Sequence, residues 1–349
     1  TIVVLKLLCF YSKFVFINKI IFKLFQDKAK INITNLIEEF SQTLKNNITY
    51  EKIMSLLPDS YICRYFKPKD KWSGGYILEE LKEEIEFISK GTGCNFKIIE
   101  GDDKRDIFRN SIVTSINKGY PVLFLDRGLN LAVIYGYRDN GNILLTRCYI
   151  DPCAMEPDFD TTIFTPIKDM VPFFVFMDNF VTPLPRESAV IDALKNVDVK
   201  WRGKKREVIN NYNENGTILY GIAAYQEWIS DLQSVKNILP EKINQIKFTS
   251  WWNSICIRNK RNTLVSFFRN LASDPLKDED DLQYDELAKV YMQEVRLLKP
   301  ICDREAWKYE YTIEEWDKYR EEDIEIIKQL LENEKKAYQI ISVINSRNN

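Results

Sequence analysis

Histidine is absent from all 349 residues of this chain. Imidazole is the side chain whose ordinary pKa lies near neutrality, and it is the usual base for activating a serine or cysteine nucleophile. Cysteine–histidine and serine–histidine–aspartate mechanisms within the chain are thereby excluded. A long uncharged apolar run is missing as well. Residues 1–25 are apolar but carry Lys6, Lys13, Lys19 and Lys23, whereas a bilayer-spanning helix needs about 20 nearly uncharged residues. No transmembrane span is expected. Nor does charge of one sign prevail: 49 basic residues face 51 acidic ones, for a net charge of −2, so steering of polyanions and a nucleic-acid partner are not expected. Glycine and proline are sparse, at 12 each. The seven cysteines, Cys9, Cys63, Cys94, Cys148, Cys153, Cys256 and Cys302, never stand in CxxC spacing and are odd in number. That pattern favours free thiols in a reducing cytosol over a disulfide framework or a zinc site. No cofactor and no metal are expected.

An apolar fraction of 45% and an aromatic fraction of 13% exclude a disordered chain, and the length suffices for two cores. Residues 119–151 carry the strongest local signal. Three runs there, 121–125, 131–138 and 143–150, are rich in Val, Ile, Leu, Tyr and Phe and read as strands. The last two are joined by Asp139-Asn140-Gly141, where Asn and Gly tolerate the positive φ of a tight hairpin turn.

Before this stretch, residues 35–44 place Leu36, Ile37, Phe40 and Leu44 on one helical face, with Thr34 as N-cap. Further helices are expected over 48–57, 76–90 and 103–118, with a strand over 96–100. Residues 171–177, VPFFVFM, form a near-continuous apolar run that suits a central strand. Pro183-Leu184-Pro185 is the best domain boundary, because neighbouring prolines break either kind of ladder. Helical periodicity then recurs over 186–194, 220–232, 263–272, 282–298 and 312–344. In the last segment Ile313, Trp316, Ile324, Ile327, Leu331, Tyr338, Ile341 and Ile344 keep one stripe apolar. Residues 1–29 leave three readings: a buried or swapped strand–helix element, a basic amphipathic helix on a membrane surface, or a non-native or truncated leader.

Gly119-Tyr120-Pro121-Val122, followed by Gly136-Tyr137-Arg138-Asp139-Asn140-Gly141, resembles the central hairpin of the papain-like fold in bacteriocin-leader-peptidase-like proteins. More narrowly, the chain resembles bacterial proteins with a butirosin biosynthesis protein H-like N-terminal domain. Residues 48–54 stand where that family has its YEXLM-like element, and the run 220–228, YGIAAYQEW, stands at its Gly-Ile/Leu-x-Ala-Tyr-x-x-Trp helix. The resemblance covers roughly 30–345. It implies an α+β protein: a papain-like cysteine-peptidase-type domain with a central antiparallel sheet over 30–182, then an all-α domain over 186–345. It also implies a nucleophilic Cys at the first helix and a His before the Gly-Tyr turn. Those positions fall near Thr34 or Asn35 and near Asn130 or Leu131, so neither partner of the couple is present.

Other residues compete for a role. Cys9 is an alternative nucleophile, though its apolar neighbours favour a structural thiol. Cys63, beside Arg64, reads as packing. Cys148 and Cys153 flank Asp151-Pro152 too sparsely for a metal site. Asp126, Arg127 and Asn130 form either a solvated connection or the polar rim of a ligand cleft. The seven tryptophans read as core and interdomain packing. The basic cluster Lys200-Trp201-Arg202-Gly203-Lys204-Lys205-Arg206 reads as a helix-start surface, with an anionic carrier-protein group as the functional alternative. The acidic run at 277–281 reads as a solvated helix start.

The expectation is a cytoplasmic, catalytically degenerate papain-like protein. It would act as a binding or accessory module in natural-product or peptide metabolism, with a small molecule, peptide or carrier protein as partner. The alternatives are a Cys-dependent acyltransferase or peptidase of the butirosin H-like type, and a scaffold that forms homo-oligomers through the 312–344 stripe.

Overall fold

The computed structural model describes residues 50–68, 78–101, 105–125, 131–148, 163–167, 173–203, 205–209, 215–234, 240–272, 280–304 and 313–348. In chain order the elements are α1 (Tyr50–Leu56), β1 (Arg64–Pro68), α2 (Leu78–Thr92), β2 (Cys94–Glu100), α3 (Arg105–Asn117), β3 (Val122–Leu125), β4 (Leu131–Arg138), β5 (Ile143–Cys148), β6 (Ile163–Pro166) and β7 (Phe173–Phe180). There follow α4 (Arg186–Gly203), β8 (Lys205–Ile209), β9 (Asn215–Tyr220), α5 (Ile222–Ser234), α6 (Pro240–Ala272), α7 (Asp280–Asp303) and α8 (Ile313–Arg347). Among the described residues no helix is long and apolar enough to cross a membrane.

The described residues divide into two compact units. In the first, Ile88–Leu184, six strands form one antiparallel sheet in the order β2-β7-β3-β4-β5-β6. β7 has a neighbour on each side, and Phe174, Val175 and Phe176 are all buried. A strand covered on both faces needs such an uninterrupted apolar run. α3 lays Phe108 and Ile112, one turn apart, against the sheet, with Phe108 4.7 Å from Phe174. The β4–β5 hairpin closes at Arg138 opposite Ile143. Asp139, Asn140 and Gly141 all take positive φ, at 48°, 50° and 89°. A Cβ on Gly141 would stand 2.7 Å from Val113 Cγ2, so this glycine answers both backbone and space. Pairing shifts register after Ile134, leaving Tyr135 as a bulge. The extra residue lets Ile134 and Tyr137, three apart, face the same cluster.

The second unit joins Glu51–Phe87 to Pro185–Asn349. Two expectations change here. The C-terminal region is not all-α, because β8 and β9 form an antiparallel hairpin that pairs with β1 in the order β1-β9-β8. Nor do 51–87 group with the first sheet, since β1 pairs with β9 about 150 residues later, Arg64 opposite Tyr220 and Pro68 opposite Gly216. The boundary between Leu184 and Pro185 falls inside the proline-flanked segment. Several helices run further than periodicity suggests: α4 reaches Gly203, and α6 extends over 33 residues from Pro240. The basic cluster at 200–206 is therefore a helix end followed by a strand, not a helix start. Lys200 pairs with buried Asp59, while Arg202 and Arg206 pair with Asp198 and Glu83 and stay exposed at 75% and 40%.

Gly221 links β9 to α5 at φ +55°, and a Cβ there would collide with the Trp201 ring. Its N–H donates to Cys63 O at 2.9 Å. Two clusters form the core of this unit, one around Leu194, Phe268 and Tyr291, the other around Trp228, Leu298 and Ile327. Trp316, Ile324, Ile327, Ile341 and Ile344 of α8 are buried in them. These five residues of the 312–344 stripe are covered within their own unit, while Leu331 and Tyr338 are half-buried.

Candidate functional site

Three long helices of the second unit present apolar stripes with alternating four- and three-residue steps. On α6 the stripe runs Ile257, Arg261, Leu264, Phe268, Leu271; on α7 it runs Leu287, Tyr291, Glu294, Leu298, Ile301. On α8 it runs Trp316, Arg320, Asp323, Ile327, Leu330, Glu334. Every one of these residues is buried. Charged side chains therefore stand where packing calls for apolar ones, and each must find its partner inside the protein.

At one end of these helices the stripes open into a concave site. Trp251, Ile301, Trp316 and Tyr319 line its apolar wall, while Lys247, Ser250, Arg304 and Asp323 supply polar groups. The Trp251 indole N–H donates to Cys302 O at 3.3 Å, which fixes the ring. Ser250 Oγ accepts the Trp228 indole N–H at 3.0 Å. Arg304 donates from Nη1 to Asp323 and from Nη2 to Glu322 at 2.8 Å, with its guanidinium 4.6 Å from the Tyr319 ring centre. Burial pushes the Asp323 carboxyl up to about 6, and Arg304 opposes that shift without cancelling it. Burial lowers the Lys247 ammonium, with Glu315 acting in the opposite sense. An aromatic wall with perturbed ionisable groups is the usual chemistry of a ligand site. No cysteine side chain is among the residues that line the concave site.

Cys9, Thr34, Asn35, Asp126, Arg127, Asn130 and Cys153 are outside the described residues, as is the side chain of Cys148. Cys63, Cys94 and Cys256 are buried free thiols, and Cys302 is half-buried. Burial pushes the Cys63 and Cys256 thiols far up and that of Cys302 to about 11, so none forms a ready thiolate at neutral pH. Among the described residues no group of three or more Cys, Asp or Glu is placed to hold a metal ion. Lys247, Ser250, Arg304, Tyr319 and Asp323 were not singled out. One signal was present: Arg320 and Asp323 interrupt the α8 stripe at core spacing.

A second charged region surrounds residues 58–63, the segment between α1 and β1. Asp59 is 1% exposed and accepts from Lys200 at 2.7 Å and Arg64 at 3.1 Å. Burial pushes its carboxyl up, but Lys200 and Lys260 outweigh burial and hold it below the ordinary value. Glu84 is driven up to about 7 by burial and by Asp59. Compared with protein-family models and with curated proteins, the chain matches none.

Proposed function

We propose that this chain is a binding or accessory module of the papain-like, butirosin H-like type that performs no cysteine–histidine chemistry. The observation that carries this reading is the state of the described thiols in a chain without histidine. Cys63 and Cys256 are buried and their thiol pKa values raised far from neutrality, and Cys302 lies at about 11. The antiparallel sheet of the first unit, with α3 packed on it, is compatible with the papain-like resemblance. For the binding step we assign the concave site at Trp251, Trp316 and Tyr319. Its ligand class is a small molecule, or the end of a peptide or carrier arm, that joins an apolar body to a polar end.

The test pairs turnover with binding. The purified chain is incubated with a nitrophenyl ester, an acyl thioester and a fluorogenic peptide, with and without iodoacetamide, and titrated separately with anilinonaphthalene sulfonate. The expected result is no turnover above buffer, and dye binding that weakens in Tyr319→Ala. Turnover abolished by alkylation, or by replacing a single cysteine, would instead establish the Cys-dependent acyltransferase or peptidase.

A further inference from the structure

Arg261, Glu294 and Glu334 meet in the second unit, each from a different long helix and each at a core position of its stripe. Their side chains are 1%, 0% and 1% exposed. Arg261 Nε donates to Glu294 Oε2 at 2.8 Å, Nη2 to Glu334 Oε2 at 2.7 Å, and Nη1 to the carbonyl of Ser60. Glu334 Oε1 accepts the Cys63 backbone N–H at 2.7 Å. Tyr291 stacks beneath the guanidinium at 4.3 Å and donates its hydroxyl to Tyr61 O at 3.2 Å. The cluster thus clamps both ends of the run from Ser60 to Cys63.

The charges do not balance. Two sealed carboxylates face one guanidinium, so full ionisation would leave a net negative charge with no water to solvate it. The oxygens are also unequal. Both Glu334 oxygens accept hydrogen bonds, whereas Glu294 Oε1 has no hydrogen-bond partner. An ionised oxygen in that position would be a buried, uncompensated anion; a neutral acid avoids this.

We infer that Glu294 and Glu334 hold one proton between them in the folded protein, centred on Glu294, and that losing this proton at alkaline pH loosens the clamp on residues 60–63. The other groups facing the cluster are Arg261 on α6, Tyr284 and Tyr291 on α7, Tyr225 on α5, and Tyr61 and Cys63 on the clamped segment. The Tyr225 hydroxyl lies against Glu334 and the Cys63 thiol without a hydrogen bond of good geometry. Burial pushes Tyr61, Tyr225, Tyr291 and Cys63 well above their ordinary values; burial lowers Arg261, but the two carboxylates outweigh it and hold the guanidinium well above its ordinary value. Only the carboxylates are left to titrate between weakly acid and weakly alkaline pH. Burial drives Glu294 up to about 8 and Glu334 upward as well.

The sign follows from proton counting. The folded state holds a proton on Glu294 that the unfolded chain releases once pH passes the ordinary carboxyl range. Stability from this group is therefore full below that range and declines as pH rises toward about 8.

The experiment is denaturant unfolding of the full chain and of Glu294→Gln, from pH about 5 to about 9. The glutamine mimics the neutral acid, so the variant is expected to lose the part of the wild-type decline that Glu294 causes. That part is on the order of a hundredfold or more in the unfolding equilibrium constant. A variant whose stability falls with pH as steeply as wild type overturns the inference. A second measurement stands if the variant fails to fold: potentiometric counting of protons released on denaturing Glu84→Gln at pH about 7. Release of close to one proton supports the shared proton, and no release overturns it.

Discussion

Lys260 and Arg261, consecutive residues of α6, donate to consecutive backbone carbonyls, Lys260 Nζ to Asp59 O at 3.1 Å and Arg261 Nη1 to Ser60 O. A half-buried and a fully buried cation from one helix thus hold a segment 201 positions earlier in the chain, and each also answers a carboxylate cluster. Removing Arg261 would leave Glu294 and Glu334 together without a cation. Arg261→Met should destabilise the second unit by about 3–5 kcal/mol. The loss should be larger at pH about 8 than at pH about 5, because the unpaired acids must then stay protonated or carry charge into the core. Denaturant titration at the two pH values checks it.

Gly221 combines a left-handed φ with contact against Trp201. Gly221→Ala should cost about 2–4 kcal/mol, from backbone strain and a displaced indole. The measurement is denaturant unfolding followed by tryptophan fluorescence. An unchanged midpoint would mean that the β9–α5 junction can reshape freely.

The described thiols should resist alkylation. Cys63, Cys94 and Cys256 are expected to stay unlabelled by iodoacetamide at neutral pH until denaturant is added, with Cys302 reacting slowly. Peptide mapping after timed labelling reads each site separately. Fast native labelling of Cys63 would contradict both its burial and the non-catalytic reading.

Asp323 supplies a pH signature at the concave site. Its folded pKa of about 6 lies above the ordinary value of 3.8, so the folded state binds the extra proton and stability falls as pH rises through that interval. Asp323→Asn, which mimics the protonated acid, should gain on wild type by on the order of 2 kcal/mol between pH about 4 and about 7. Parallel stability curves would show that Asp323 titrates normally and that Arg304 prevails over burial.

Local chemistry made part of this fold legible. β4 spans the expected residues because period-two apolar patterning and the Asp139-Asn140-Gly141 turn agree on where the chain reverses. β7 is flanked on both sides as its apolar run implies. The α8 stripe was read correctly at Trp316, Ile324, Ile327, Ile341 and Ile344. The β1-β9-β8 sheet was missed because β1 is five residues ending in proline, and its pairing partner lies far along the chain. The beginning of α6 was missed because its polar residues mask the period there, although packing keeps the helix continuous through Ala272.

The candidate site was less legible than the fold. Arg261, Glu294, Arg320, Asp323 and Glu334 break apolar stripes at core spacing, yet pattern reading assigns charges to solvent. Spacing alone does not say whether a charge will find an opposite charge on another helix.

By itself the sequence determined what this chain cannot do with imidazole, and where its strongest turn and its apolar helix faces lie. Those properties follow from composition and from steps of two to four residues. Only the tertiary structure decided that β1 joins the C-terminal unit, that Lys200 of the basic cluster meets the buried Asp59 carboxylate, and that two glutamates converge on Arg261. Such facts depend on distant segments meeting in a medium of low dielectric, where a charge is tolerated only if its partner is already in place.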